Sequence, residues 1–165
     1  MRAPGSRLAA WIVDWFIISG YAVALIPLGM TFGSGVDLTA TEWNLVSFGL
    51  LILPSTLWLA AWESRGASPG KRRLSLRIAD GADRLPGFGR ALACNLLKVA
   101  LPWELAHTGV FLILTAGDDG LGTVFTSAAW VVVLAYAAFL FRDRMPYDRV
   151  TGLRVLRRPA GEPAR

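Results

Sequence analysis

Leu8-Ala-Ala-Trp-Ile-Val-Asp-Trp-Phe-Ile-Ile-Ser-Gly-Tyr-Ala-Val-Ala-Leu-Ile-Pro-Leu-Gly-Met30 is apolar almost throughout and carries a single charge, Asp14. At 1.5 Å per helical residue it reaches about 34 Å, enough to cross the roughly 30 Å hydrocarbon layer of a bilayer. The stretch therefore predicts a transmembrane helix. Three others pass the same length test, at 44–62, 96–115 and 123–141, although the third span carries Pro102, Glu104 and His107. The fold class expected is all-α, a four-helix transmembrane bundle.

Charge sorts by segment and sets the orientation. Arg2 and Arg7 precede the first span; Arg65, Lys71, Arg72, Arg73, Arg77, Arg84 and Arg90 lie between the second and third. Arg142, Arg144, Arg149, Arg154, Arg157, Arg158 and Arg165 follow the fourth. The connection 31–43 offers only Asp37 and Glu42, and the turn 117–122 only Asp118 and Asp119. Basic loops stay on the cytoplasmic side, so both termini and the middle loop are predicted inside a bacterial inner membrane. Were the third stretch only interfacial, the arginine-rich tail would emerge on the outer side, so the charges favour four spans.

The chain has 165 residues, 54% of them hydrophobic, and a net charge of +5. That bounds it to one membrane domain, 1–158, with a disordered tail at 159–165 rich in Pro, Gly and Ala. The excess of cations suits anionic headgroups beside a membrane, and nucleic acid is not expected as a partner. The basic start and apolar first stretch resemble a secretory signal, but the length, Asp14 and the lack of a convincing cleavage site predict retention. Cys94 is the one cysteine, which rules out an intrachain disulfide and reads as a packed apolar side chain. Trp43 and Trp62 bracket the second span as interface markers, and Trp58, Trp103 and Trp130 read as packing between helices rather than as a cavity lining.

In the middle loop, Lys71-Arg-Arg-Leu-Ser-Leu-Arg-Ile78 alternates apolar and polar residues and predicts a short strand, followed by a turn at Asp80-Gly-Ala-Asp83. Thr151-Gly-Leu-Arg-Val-Leu156 repeats the pattern, so the two segments are expected to pair as a two-stranded cytoplasmic ribbon. Phe88 to Leu97 regains helical spacing and reads as an interfacial helix leading into span three, with Arg90 and Lys98 reaching toward headgroups. Gly66-Ala-Ser-Pro-Gly-Lys71 superficially suggests a phosphate loop. Its glycines are too close and Arg72 stands where Ser or Thr is required, so a juxtamembrane turn explains it better.

The intramembrane ionisable groups are the candidate sites. Asp14 costs about 2.5 to 3.5 kcal/mol at a helix centre unless it faces protein or water. It reads equally as a structural acceptor or as a transport group. Glu104 and His107, spaced i and i+3, share a helix face and suit a proton or cation relay, or simply face water. With one His and one Cys, no metal site is expected. Lys71, Arg72 and Arg73 form the expected face toward lipid or a partner.

Arg7-Leu-Ala-Ala-Trp-Ile-Val-Asp14, the Ser68-Pro-Gly-Lys71 turn with the following Leu-x-Leu-Arg-Ile, Arg90, and Tyr147-Asp-Arg-Val-Thr-Gly-Leu-Arg-Val155 together resemble the RDD family of bacterial membrane proteins. The resemblance covers nearly the whole chain and identifies Arg7, Asp14 and Asp148 as the residues for which the family is named. It departs at Tyr147, where the family usually has histidine, so a proton role for that histidine does not carry over. The resemblance implies a poorly characterised membrane protein, with sodium/proton antiport suggested for some members. Arg7 and Asp148 share the cytoplasmic edge and are expected to pair, closing the bundle.

Two functions remain open. One is a small-cation or proton-coupled transporter using Asp14, Glu104 and His107, completed by a homo-oligomer because four helices make a small bundle. The other is an accessory protein whose basic face binds a partner or anionic lipid. No nucleophile and base pair or cofactor loop can be assembled, so neither an enzyme nor a cofactor is expected.

Overall fold

A computed structural model describes residues 4–33, 35–142 and 144–158. Four helical runs are long and apolar enough to cross a membrane: Pro4–Thr31, Ala40–Ser64, Gly87–Ala116 and Asp119–Phe139. The first is helix α1 (Pro4–Gly33). The second joins α2 (Ala40–Ser47) to α3 (Leu53–Ser64) through a π-helical turn at Phe48–Ile52. The third joins α5 (Gly87–Asn95) to α6 (Leu101–Phe111) through another at Leu96–Ala100, and ends in a third at Leu112–Ala116. The fourth is α7 (Asp119–Phe139). Two of the widened turns directly precede Pro54 and Pro102. A proline ring crowds the carbonyl four residues earlier and offers it no N–H, and a wider turn relieves both problems.

One acid in each of the two short connections serves in a helix cap. Thr39 and Glu42 form a reciprocal capping box at α2, and Asp118 accepts the Leu121 N–H at the start of α7. Both explain local structure whichever side of a membrane they face.

Between α3 and α5 lie a short helix α4 (Pro69–Arg73) and strand β1 (Leu76–Asp80); after α7 come α8 (Pro146–Thr151) and strand β2 (Leu153–Arg157). The strands pair antiparallel, Leu76 opposite Arg157 and Asp80 opposite Leu153, which is the expected ribbon. Its first strand begins later than the alternation at 71–78 suggests. Ser68 caps α4 and Pro69 presets its first turn, so Lys71 to Arg73 are helical instead. The expected separate lead-in helix is likewise absorbed: α5 continues into α6 as one run, and its Ala91, Cys94 and Asn95 are buried. The tail 159–165 lies outside the described residues.

Two small cores hold these pieces. Ile78, Cys94 and Leu153, flanked by Tyr147 and Val155, fasten the ribbon to α5. Ile18, Leu59 and Val99, flanked by Trp58 and Trp103, join α1, α3 and the third run. Helices α6 and α7 meet through Gly109 and Gly122, where a Cβ on either would collide with the opposite helix. Small residues let helices approach closely where lipid supplies no hydrophobic drive for association. At the ribbon tip, Asp80 accepts the backbone N–H groups of Arg84 and Ala82 and pairs with the Arg84 and Arg90 guanidiniums.

Candidate functional site

Asp14 is 5% exposed and fully engaged. Its Oδ2 accepts the Ser68 hydroxyl at 2.5 Å and its Oδ1 accepts the Gly70 N–H at 2.8 Å. The carboxylate thus takes one backbone N–H, that of Gly70, at the start of α4, where a negative charge is favoured. Only glycine fits at position 70, because a Cβ there would run into the Ala10 carbonyl and the Asp14 carboxyl. The Ser-Pro-Gly turn is therefore a mould pressed against α1, with Asp14 as its bolt.

Next to that turn is a charge cluster that sequence reasoning missed. Glu63, the penultimate residue of α3, has no solvent exposure. Its Oε1 receives Lys71 Nζ at 2.5 Å and Lys98 Nζ at 2.7 Å, and its Oε2 receives Asn95 Nδ2 at 2.7 Å. Asn95 is held in turn by the Ala91 carbonyl. Lys71 therefore points inward rather than into the expected surface face, and Lys98 is a buried partner rather than a residue reaching for headgroups. Arg72 stacks over Trp62 at 4.8 Å, and Arg73 is exposed. The missed signal was the coincidence of a carboxylate at the end of span two with a lone lysine near the start of span three.

Asp148 lines the same cleft as these lysines. It is 4% exposed, accepts the Met145 N–H at 3.4 Å and lies 3.9 Å from the Cys94 sulfur. Burial pushes its carboxyl above the ordinary range, opposed by Lys98, Lys71, the Met145 N–H and Arg7. Burial also drives the Tyr147 hydroxyl well up, so it stays neutral, with its ring edge-on to Tyr136. Arg7 donates to the Val155 carbonyl at 3.0 Å. That bond ties α1 to the tail through the β2 backbone, and Arg7 lines the same cleft as Asp148, the carboxylate expected as its partner.

These groups form the floor of a cleft of about 550 Å³. Glu63, Lys71, Lys98, Arg7 and Asp148 line one end; the walls come from α1, α6 and α7 and are almost wholly apolar. Trp103 and Trp130 line it, and Trp103 also packs between helices as expected, against the Ile18, Leu59 and Val99 core. Arg7 and Asp148 thus line the cleft, while Asp14 holds the turn that carries Lys71 into it. The RDD family profile matches residues 1–152. The chain belongs to the RDD family. No curated protein and no solved structure matches it.

In this RDD protein, the groups expected to form one ion site are bound into separate networks. Asp14 is held by the Ser68 turn, whereas Glu104 Oε1 receives Asn44 Nδ2 at 2.6 Å, and Thr108 shares that amide at 3.1 Å. His107 turns away to the Trp103 carbonyl, 2.9 Å from its Nδ1, between the rings of Trp103 and Phe111. Neither Asp14, Glu104 nor His107 is among the described residues that line the cleft. Helical spacing puts Glu104 and His107 on one face, but Asn44 on α2 captures the carboxylate, a contact between elements that spacing does not report.

Proposed function

We propose that this RDD protein is a proton-coupled carrier of the bacterial inner membrane, with its ribbon end and both termini cytoplasmic, whose exchangeable charges are Asp148 and the Glu63, Lys71 and Lys98 cluster. One observation carries the reading: a fully buried carboxylate bridged by two lysines, with a second buried carboxylate lining the same cleft. Glu63 and Lys98 lie within the candidate spans, where ionisable groups are expensive and mark functional pathways more often than in soluble proteins. Among the described residues that line the cleft, Arg7, Lys71 and Lys98 outnumber Glu63 and Asp148, which disfavours a bare metal cation. A proton arriving at Asp148 raises the positive charge of the floor and alters its affinity for any second charged species. That differential affinity is what coupling requires. A homo-oligomer would complete the path, since the described residues supply four long helices.

Protein in proteoliposomes with an enclosed pH-sensitive dye tests this directly. Wild type should move protons under an imposed gradient, and Asp148→Asn and Glu63→Gln should lower the rate at least about tenfold, the loss of one proton-transfer group being worth roughly 10² to 10⁴ in general acid–base steps. No movement by wild type, or normal movement by both variants, removes the carrier reading. What would then stand is the accessory reading, supported by exposed Arg65 and Arg73 beside the Arg72 and Trp62 stack at the same end. That face would hold anionic headgroups or a partner.

A further inference from the structure

Helices α7 and α8 are joined by a reversal just beyond Phe139, the end of the fourth candidate span. The Arg142 N–H donates to the Phe139 carbonyl at 2.9 Å, which folds the chain back and lays the Arg142 guanidinium over the Phe139 ring, 4.5 Å from its centre. Pro146 starts α8, and one turn later the Arg149 guanidinium approaches the same ring at 5.7 Å. The two cations are therefore no more than about 10 Å apart, roughly one Debye length at 0.1 M salt, and they repel. The ring attracts both but carries no net charge to offset either. Among the described residues no carboxylate forms an ion pair with Arg142 or Arg149: Asp80, Asp83 and Glu63 take other partners, and Asp148 is buried and lines the cleft. Counting Asp143 against its neighbour Arg144 still leaves both in excess. Phe141 is 72% exposed and Val150 76% exposed beside them. Apolar side chains interleaved with arginines at the end of a span suit the boundary between acyl chains and headgroups.

We propose that the α7–α8 junction is a headgroup site for one anionic phospholipid of the leaflet at the ribbon end. Its phosphate lies between the Arg142 and Arg149 guanidiniums, whose planar forks match phosphate oxygens, while Phe141 and Val150 sink toward the acyl chains. Charge complementarity selects an anionic over a zwitterionic lipid, because a choline headgroup brings its own cation and leaves the two arginines without net compensation. Neither arginine is among the described residues that line the cleft, and Lys71 and Lys98 stay with Glu63. The site therefore stands whether or not protons move through the protein, and it asks nothing of the Arg65 and Arg73 face. It also bears on the cleft. Arg149 follows Asp148 on α8, so a bound headgroup steadies the helix that carries the cleft's second carboxylate.

The test uses the full chain in neutral detergent with dioleoyl phosphatidylglycerol, dioleoyl phosphatidylcholine, glycerol phosphate or a polyglutamate peptide, followed by native mass spectrometry. Wild type should retain one phosphatidylglycerol per chain about tenfold more readily than phosphatidylcholine, as two basic residues at a membrane surface imply. Arg142→Gln combined with Arg149→Gln, both at exposed positions, should lose most of that preference. Arg65→Gln combined with Arg73→Gln should keep it. A phosphatidylglycerol with a photoreactive headgroup should label wild-type peptides from 139–150, a readout that does not depend on any variant folding. Equal retention of the two lipids would overturn the proposal. So would an undiminished preference in the folded Arg142 and Arg149 double variant, or an equal loss in both double variants, which would mean a diffuse basic field and no site. Displacement of the lipid by glycerol phosphate alone, retention of polyglutamate in its place, or labelling confined to other segments would do the same.

Discussion

Lys98 Nζ lies 2.7 Å from Glu63 Oε1, a bond that joins the second and third long helical runs across 35 residues of sequence. Glu63 is also the partner of Lys71, so one carboxylate neutralises two half-buried ammoniums. Removing it strands both. Glu63→Ala should cost about 3–5 kcal/mol, and Lys71→Met less, because Lys98 and Asn95 still satisfy the carboxylate. Thermal unfolding in detergent distinguishes them, and equal small shifts would mean that the cluster is not closed in solution.

Gly70 and Gly89 make a matched pair. An alanine methyl at 70 would strike the Ala10 carbonyl, whereas nothing lies within 4 Å of a Cβ at 89, on the exposed face of α5. Gly70→Ala should destabilise by about 1–3 kcal/mol, as overpacking does. Gly89→Ala should be neutral or gain about 0.5–1 kcal/mol from helix propensity. Opposite signs in the same unfolding assay are the expected result.

Asp14 accepts two hydrogen bonds at the α4 turn. Asp14→Asn keeps an acceptor for the Gly70 N–H and should lose about 1 kcal/mol, while Asp14→Ala leaves donors without a partner at about 1–3 kcal/mol each. In proteoliposomes Asp14→Asn should keep most of any proton flux. Complete loss with normal stability would return Asp14 to the transport path.

Acid acts on Asp148 and Asp80 in opposite senses. The folded carboxyl of Asp148 titrates above its ordinary 3.8, so its contribution is full below that value and is lost as pH rises through the folded value. Asp80 is held below 3.8, first by the Arg84 backbone N–H, so its contribution is present above 3.8 and is lost as pH falls through the folded value. Between about pH 4 and pH 7, Asp148→Asn should therefore gain stability on wild type toward the neutral end. Asp80→Asn should lose stability across that whole range. Melting curves of the three proteins over the range decide it.

The four long helices, the paired ribbon and the family were legible because each rests on local pattern: run length, alternation, and short motifs such as Ser68-Pro-Gly70. The strand start was misread because alternation over Lys71 to Ile78 gave way to Ser68 and Pro69, which cap and preset a helical turn. The lead-in to span three was misread because Lys98 seemed to need water, when Glu63 was waiting for it on another helix. Glu104 and His107 were correctly placed on one face, but that face meets Asn44, whose approach no periodicity encodes.

Sequence alone determined the length and apolarity of the helices, the sorting of basic and acidic segments, and the Arg7, Asp14 and Asp148 pattern, because these follow from hydrophobicity, backbone geometry and motif along the chain. Tertiary structure decided which charges matter together. Burial removes water as a partner, so each carboxylate must find its donors on whatever helix packs beside it. Asp14 became a bolt for α4 in this way, Glu63 the hub of two lysines, and Asp148 the buried carboxylate facing the cleft.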